Sequence, residues 1–235
     1  MVTKNILFSP EMVRAILDDR KTTARIIIKH IDNNYIYLGS DKQNINVGFA
    51  RKTTGLPLKI KIPYKPGDTI YVREIWKQYE KRVGTGEQCY VKKFYGYKAD
   101  EHNHNNPSEF YEGKWKSGVC MPKEAARLFL IVESVNIKRL KDMTEEDYYN
   151  EGIVKMTKDG TIYKYCPGEE WWETYHSEHK SQYKGTSWQN MPRTPEEAFK
   201  ILWNSKIKKA DIDEYGWDAN PYVWVINFKM TNKEL

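Results

Sequence analysis

The chain of 235 residues is poor in cysteine, and what it has is scattered. Cys89, Cys120 and Cys166 form no CxxC pair and are too few for a disulfide framework, so a reducing compartment is the expectation. No apolar run approaches the roughly 20 residues that a membrane-spanning helix needs. The segment Met1 to Leu7 lacks the apolar stretch and small-residue site of a secretory leader. The expected setting is cytoplasmic (host cytoplasm if phage-encoded), with no membrane partner. His102 and His104, then His176 and His179, match no standard zinc spacing, so no metal and no cofactor are expected. No internal repeat is visible.

Basic residues and rings are plentiful by contrast. Lys+Arg number 38 against Asp+Glu 32, a formal net charge of +6, and aromatic residues make up 14%. Excess positive charge draws phosphate-bearing partners, and flat rings suit unstacked bases. Solubilising charge is the plainer reading of the same numbers.

Local signals place a few elements. Ser9 and Pro10 open a helix whose apolar stripe is Met12, Val13, Ile16 and Leu17. Strand-like runs follow at Arg25–Ile31, Tyr35–Leu38, Leu58–Tyr64, Thr69–Arg73, Val91–Tyr97, Leu128–Leu140 and Tyr222–Lys229. Pro66-Gly67-Asp68 reads as a turn. Thr144 and Thr194 each start a further helix with acids in the first turn. Two stretches, near 100–118 and 155–193, read as insertions, the second long and rich in rings. Many strands and few helices predict an α+β fold, a small β-barrel with helices packed outside, as a single domain over 1–235.

Several clusters are able to carry chemistry. Arg20-Lys21-Thr22-Thr23-Ala24-Arg25 gathers cations and hydroxyls at a helix–strand junction, a phosphate-holding pattern; charge complementing the helix dipole explains it equally. A buried Lys21 that lost its proton would activate Thr22 or Thr23. Glu74, beside Arg73 and Trp76, is an acid at a strand end and needs a partner; Lys21 is the expected one. Trp115, Met121-Pro122 and Arg127 suggest a pocket wall. Asn220 precedes Pro221, which favours extended geometry and a presented amide, though capping the turn explains it equally; Trp224 follows on the last strand.

Read in order, these pieces resemble the phage-type branch of the ASCH-domain proteins, in the PUA-like superfamily. The matching residues are Ile6–Ser9, Met12–Leu17, Arg20-Lys21-Thr22 with Arg25, Gly67-Asp68, Val72-Arg73-Glu74 with Trp76, and Tyr97, Ala99 and Asp100. Trp115, Met121-Pro122, Ala125, Arg127, Arg139-Leu140, Thr144–Asp147, Phe199, Leu202-Trp203, Trp217, Asn220-Pro221 and Trp224-Val225 continue the match. The resemblance implies a PUA-like barrel with a cleft beside the Lys-Thr motif, and RNA or a nucleotide as partner. Binding of RNA, a nucleotide or a modified nucleobase, including sequestration of a nucleotide signal, is the function expected. The alternative is a hydrolase of a modified nucleoside or an RNA. Lys21, Thr23 and Glu74 would be its catalytic residues. Ser9, Thr22, Arg25, Arg73, Trp76, Trp115, Met121, Arg127, Asn220 and Trp224 would bind the ligand. The chain departs from the pattern at Ala24, where a catalytic threonine is also found, at Ile26 and at Cys120.

Overall fold

A computed structural model describes residues 4–41, 44–101, 113–168 and 188–231. The fold is α+β, mostly strands in several sheets, and among the described residues no sheet closes on itself as a barrel. The chain divides into two compact units, each discontinuous in sequence. The first takes Met1–Asp19, Asp68–Ile131 and Lys229–Leu235; the second takes Arg20–Gly67 and Val132–Phe228.

In the first unit, strand β1 (Lys4–Leu7) leads directly into helix α1 (Pro10–Leu17). Pro10 sits in the first turn, where its missing N–H costs nothing, and Val13, Ala15 and Ile16 are buried. Ser9 has the extended backbone of an N-cap, yet its hydroxyl makes no cap bond. Strand β6 (Thr69–Arg73) runs parallel to β1, with Leu7 opposite Arg73, and antiparallel to the start of β9 (Phe129–Arg139). Strands β7 (Trp76–Val83) and β8 (Tyr90–Tyr97) form a hairpin. The sequence shows the second arm of that hairpin but hides the first, because polar and charged residues dominate Lys77–Arg82. Trp76, Met121 and Ala125 pack together at its base.

The second unit pairs strand β2 (Thr23–Ile27) antiparallel with β12 (Tyr222–Thr231), Asn227 opposite Thr23 and Trp224 opposite Ile26. Strands β3 (Tyr35–Ser40), β4 (Asn46–Arg51) and β5 (Pro57–Lys61) form a three-stranded meander. Helix α2 (Glu145–Asn150) opens with a complete capping box: Asp147 N–H donates to the Thr144 hydroxyl, and Thr144 N–H to the Asp147 carboxylate. Helix α3 (Pro195–Ser205) is capped by Thr194, while Glu197 accepts from the Arg193 N–H instead of from the cap residue's own. Its buried face (Ala198, Phe199, Leu202, Trp203) packs with Tyr148, Trp217, Val223 and Val225 into the unit's core. Phe199 meets Tyr148 at 5.7 Å and Trp217 at 5.9 Å between ring centroids, offset and edge-on contacts that add to simple burial.

The stretch read as an insertion from 155 begins as a regular hairpin, β10 (Val154–Thr157) with β11 (Tyr163–Cys166). Its turn carries Asp159, whose carboxylate accepts from the Thr161 and Ile162 N–H groups, and Gly160 at φ 77. Asp-Gly between alternating runs is a hairpin signal that the polar composition masks. Trp171, Trp172, Tyr175, Tyr183 and the histidines His102, His104, His176 and His179 lie outside the described residues.

Candidate functional site

Lys21 is the most buried cation of the expected site, 2% exposed. It stands just before β2 and bridges to Glu151, the residue that ends α2. Its ammonium donates to the Thr23 carbonyl at 2.7 Å, the Glu151 carbonyl at 3.1 Å and the Glu151 carboxylate at 2.5 Å. An ammonium has three donors, and all three are spent here. Arg25 reaches the other Glu151 oxygen at 3.0 Å and Asp147 at 3.1 Å. Two cations and two carboxylates thus close on one another inside the second unit.

The electrostatics follow from burial. Desolvation pulls Lys21 below its ordinary pKa, and the Glu151 carboxylate works against that fall. Desolvation would raise Glu151, but Lys21 and Arg25 outweigh it and hold the carboxyl below the usual range. Asp147 is likewise raised by burial and brought lower on balance by the Thr144 N–H and Arg25. The Lys21–Arg25 cluster is therefore an internal ion-pair network and not an open cationic surface. Arg20 also turns inward, to the Gly152 carbonyl at 3.0 Å.

Thr22 and Thr23 line a polar depression of about 350 Å3, together with Glu133, Thr144, Glu146, Asp147, Asn150 and Asn227. Thr23 Oγ1 bonds to Asn227 Oδ1 at 2.9 Å, and Thr22 Oγ1 to Asn150 Oδ1 at 3.2 Å. Among the described residues carboxylates line this depression and no cation does, so it disfavours a phosphate. A Lys21 whose protons are all engaged holds charge and position; it does not take a proton from Thr23.

Glu74 finds its partners within its own unit. It is 1% exposed in the first unit, and its carboxylate takes two bonds from Arg127, at 2.9 and 3.1 Å. Arg127 also grips Asp100 at 2.7 and 2.9 Å and lies over the Tyr97 ring, 4.0 Å from its centroid. Burial raises the Glu74 pKa, and the guanidinium offsets only part of that rise. Burial also lifts the Tyr97 phenol, to about 12. Met121 Sδ accepts from the Glu74 N–H at 3.3 Å, which explains why a thioether stands there. Gly118 is packed so closely that an added Cβ would fall 2.6 Å from Leu7 Cδ1 and 2.9 Å from the Glu74 carbonyl oxygen.

The remaining expected residues sort by unit. In the first, Lys77 and Lys98 ammonium groups lie 4.9 and 5.4 Å from the Trp115 centroid, and Lys116 lies 4.9 Å from that of Trp76. Arg73 donates to the Val119 carbonyl at 3.2 Å. Ser9 Oγ, Arg73 Nε and Trp76 Nε1 are buried without a hydrogen-bond partner among the described residues. In the second, Asn220 is not extended: its φ is 49, a left-handed position that asparagine tolerates better than most residues. Its Oδ1 accepts from the Lys141 N–H at 2.8 Å and its carbonyl from Arg139 at 3.0 Å, so its amide holds a turn.

Trp224 lines a cavity of about 560 Å3 that the sequence does not announce, because its other walls come from the β3–β5 meander and β9. Tyr37, Ser40, Asn44, Tyr64 and Lys65 are among them. Glu151 is the other unannounced residue; it sits 130 positions from Lys21, and nothing local marks it. Among the described residues no group of three or more His, Cys, Asp or Glu is placed to hold a metal ion, and no helix is long and apolar enough to cross a membrane. Compared with known proteins, the chain matches no family model, no curated protein and no solved structure.

Proposed function

We propose that the chain binds single-stranded nucleic acid, RNA in the first instance, and that the β7–β8 hairpin is a contact surface. One observation carries this reading. Toward the hairpin's tip Lys81 stands directly opposite Lys92, Arg82 opposite Val91 and Glu80 opposite Lys93. Four cations and one carboxylate share a few residues of ladder. An excess of cations on a short ladder draws a polyanion. Rings are interleaved with these charges. Tyr79 and Phe94 stack at 5.8 Å and 19°, the Lys92 ammonium is 5.6 Å from the Phe94 centroid, and Tyr90 is 57% exposed. Tyr79 is buried and Phe94 half-buried, so Tyr90 is the ring of the three that is free to stack; cations that track a backbone beside an exposed ring are the means by which single strands are held without sequence preference.

The resemblance to the ASCH branch supports RNA or a nucleotide as the partner and a PUA-like barrel as the architecture. The hairpin, not the Lys21 cluster, supplies the cations in this reading.

Titration of a labelled single-stranded RNA at low and high salt tests it. Four phosphate contacts give a slope of roughly −3 in log K against log salt. The double variant Lys92→Glu, Lys93→Glu is expected to weaken binding at least about tenfold. Wild-type protein that binds no RNA at low salt overturns the proposal.

A further inference from the structure

We infer that the β3–β5 meander of the second unit takes up an extended acidic peptide of another protein as a further strand beside β3. The inference is separate from the hairpin reading, since the meander and the cavity lined by Tyr37 both belong to the second unit.

The backbone sets the mode of binding. Among the described residues β3 has a strand on one side only, β4. The Lys52 N–H donates to the Asn34 carbonyl at 2.7 Å, and ladder bonds in an antiparallel pair recur at every second residue. Ile36 therefore turns its backbone groups to Ala50, its partner in the register, while Tyr35 and Tyr37 turn theirs away from β4. The Tyr35 N–H folds back to the Asp32 carbonyl at 3.3 Å. The Tyr35 carbonyl and both Tyr37 groups are left at the edge, a template for an added strand. The other edge is guarded: β5 begins with Pro57 and carries Lys59 and Lys61, whereas β3 has neither proline nor charge. A register shift between Tyr37 and Gly39 ends the regular edge and limits the added strand to a few residues.

The side chains define the partner. Ile36 and Leu38 stand on one face of β3, 49% and 61% exposed. Tyr37, on the opposite face, lines the cavity of about 560 Å3 together with Val47, Ile62, Val135 and Ile137. A strand laid along β3 sets two alternate side chains beside Ile36 and Leu38, and the one between them beside Tyr37 at the cavity. Apolar residues suit all three positions. Within the three strands the charged residues are Arg51, Lys59 and Lys61, and Lys65 stands on the cavity wall; none is acidic. Acids flanking the apolar centre are therefore attracted, and a second copy of the same sheet is repelled. The receiving strand is already held in place, because Tyr37 rests on Phe49 at 5.6 Å, which in turn meets Tyr222 at 5.3 Å.

The probe is a heptapeptide, capped at both ends, with a valine–leucine–valine centre and two glutamates on each side. Hydrogen exchange at the Tyr37 amide, followed by NMR, reads the edge itself. An acidic peptide also has the cationic β7–β8 hairpin to bind, and exchange at Tyr37 does not report that contact. At about 1 mM peptide the Tyr37 amide is expected to exchange at least about twofold more slowly, as half occupancy at a Kd of about 1 mM requires. Methylating the leucine amide removes a ladder donor, and replacing the four glutamates by lysines reverses the charge; each change is expected to abolish the slowing. Ile36→Thr keeps the branched side chain at an exposed position, so the melting temperature stays the same and affinity falls about fourfold, the worth of roughly one buried methylene. No slowing at Tyr37 overturns the inference. So does slowing that the methylated or lysine-bearing peptide reproduces, or an affinity that Ile36→Thr leaves unchanged. A Tyr37 amide already protected without peptide, in a protein whose mass rises with concentration, assigns the edge to a second copy and overturns it as well.

Discussion

Each unit buries an ion-pair network, and the two are built to different ends. In the second unit the Lys21, Arg25 and Glu151 side chains are 0%, 1% and 2% exposed. In the first, Glu74 is as deeply buried, but Arg127 and Asp100 keep 24% and 25% of their side-chain surface in solvent. The Lys21–Arg25–Glu151 part is closed to water and ligand, with Asp147, 17% exposed, as its outlet to the polar depression, whereas two of the three members of the Arg127 network reach solvent. Burial in the second unit thus fixes β2 against the end of α2. In the first, it leaves a guanidinium within reach of solvent beside Tyr97.

Removing Glu151 breaks the comparison hardest. Glu151→Ala strands Lys21 and Arg25 in the interior, and a loss of about 3–5 kcal/mol is expected in urea unfolding. Arg127→Ala strands Glu74 in the same way, but water reaches the gap, so about 1.5–3 kcal/mol is expected. Equal losses in the two variants would erase the distinction between sealed and open.

Acid sharpens it further. Asp147 and Glu151 have pKa values lowered in the folded state. Their contribution is complete above the ordinary carboxylate range and is lost as pH falls through the lowered values. Glu74 runs the other way. Its raised value means that the fold binds the proton more readily, so stability declines as pH rises from the ordinary value through the raised one. Hydrogen exchange should show peptides around Thr23–Ile27 losing protection as pH falls below the ordinary carboxylate range, and peptides around Thr69–Arg73 losing it as pH rises above that range. Parallel trends would contradict the assignment.

Smaller effects bound the scale. Thr144→Ala removes one half of the α2 capping box and should cost about 1 kcal/mol, read by thermal melting. Lys200→Ala loses a pair with Asp218 at 3.0 Å, with side chains 43% and 75% exposed; less than about 0.5 kcal/mol is expected.

The contrast also shows what the sequence makes legible. Elements whose signal is local are read correctly: Pro10 at the start of α1, Thr144 with Asp147, and Thr194 ahead of the Phe199 face. The Thr69–Arg73 strand and the final strand are read too, from their apolar runs. Partnerships between distant positions are not. Lys21 announces that it needs a carboxylate, but Glu74 and Glu151 satisfy that need equally well until the chain is folded. Of the two readings of Asn220, the extended one fails because the proline rule is a preference that two hydrogen bonds from the Arg139–Lys141 turn override, while the turn-holding one stands. The meander strand β4 escapes notice because Gly48 interrupts its apolar residues. The wall of the Trp224 cavity escapes with it.

The pairing of β2 with β12 also bears on how the chain is made. Thr23 and Asn227 are hydrogen-bonded partners 204 positions apart. At ribosomal rates of about 5–20 residues per second, β2 waits ~10–40 s for its partner strand to be synthesised. Throughout that interval Thr23–Ile27 is an apolar edge without its neighbour, and Lys21 is without Glu151 for most of it. Long-range pairing of this kind slows folding and leaves the nascent chain exposed to aggregation. A nascent chain stalled before Tyr222 should therefore be protease-sensitive at β2, whereas one released after Thr231 should not.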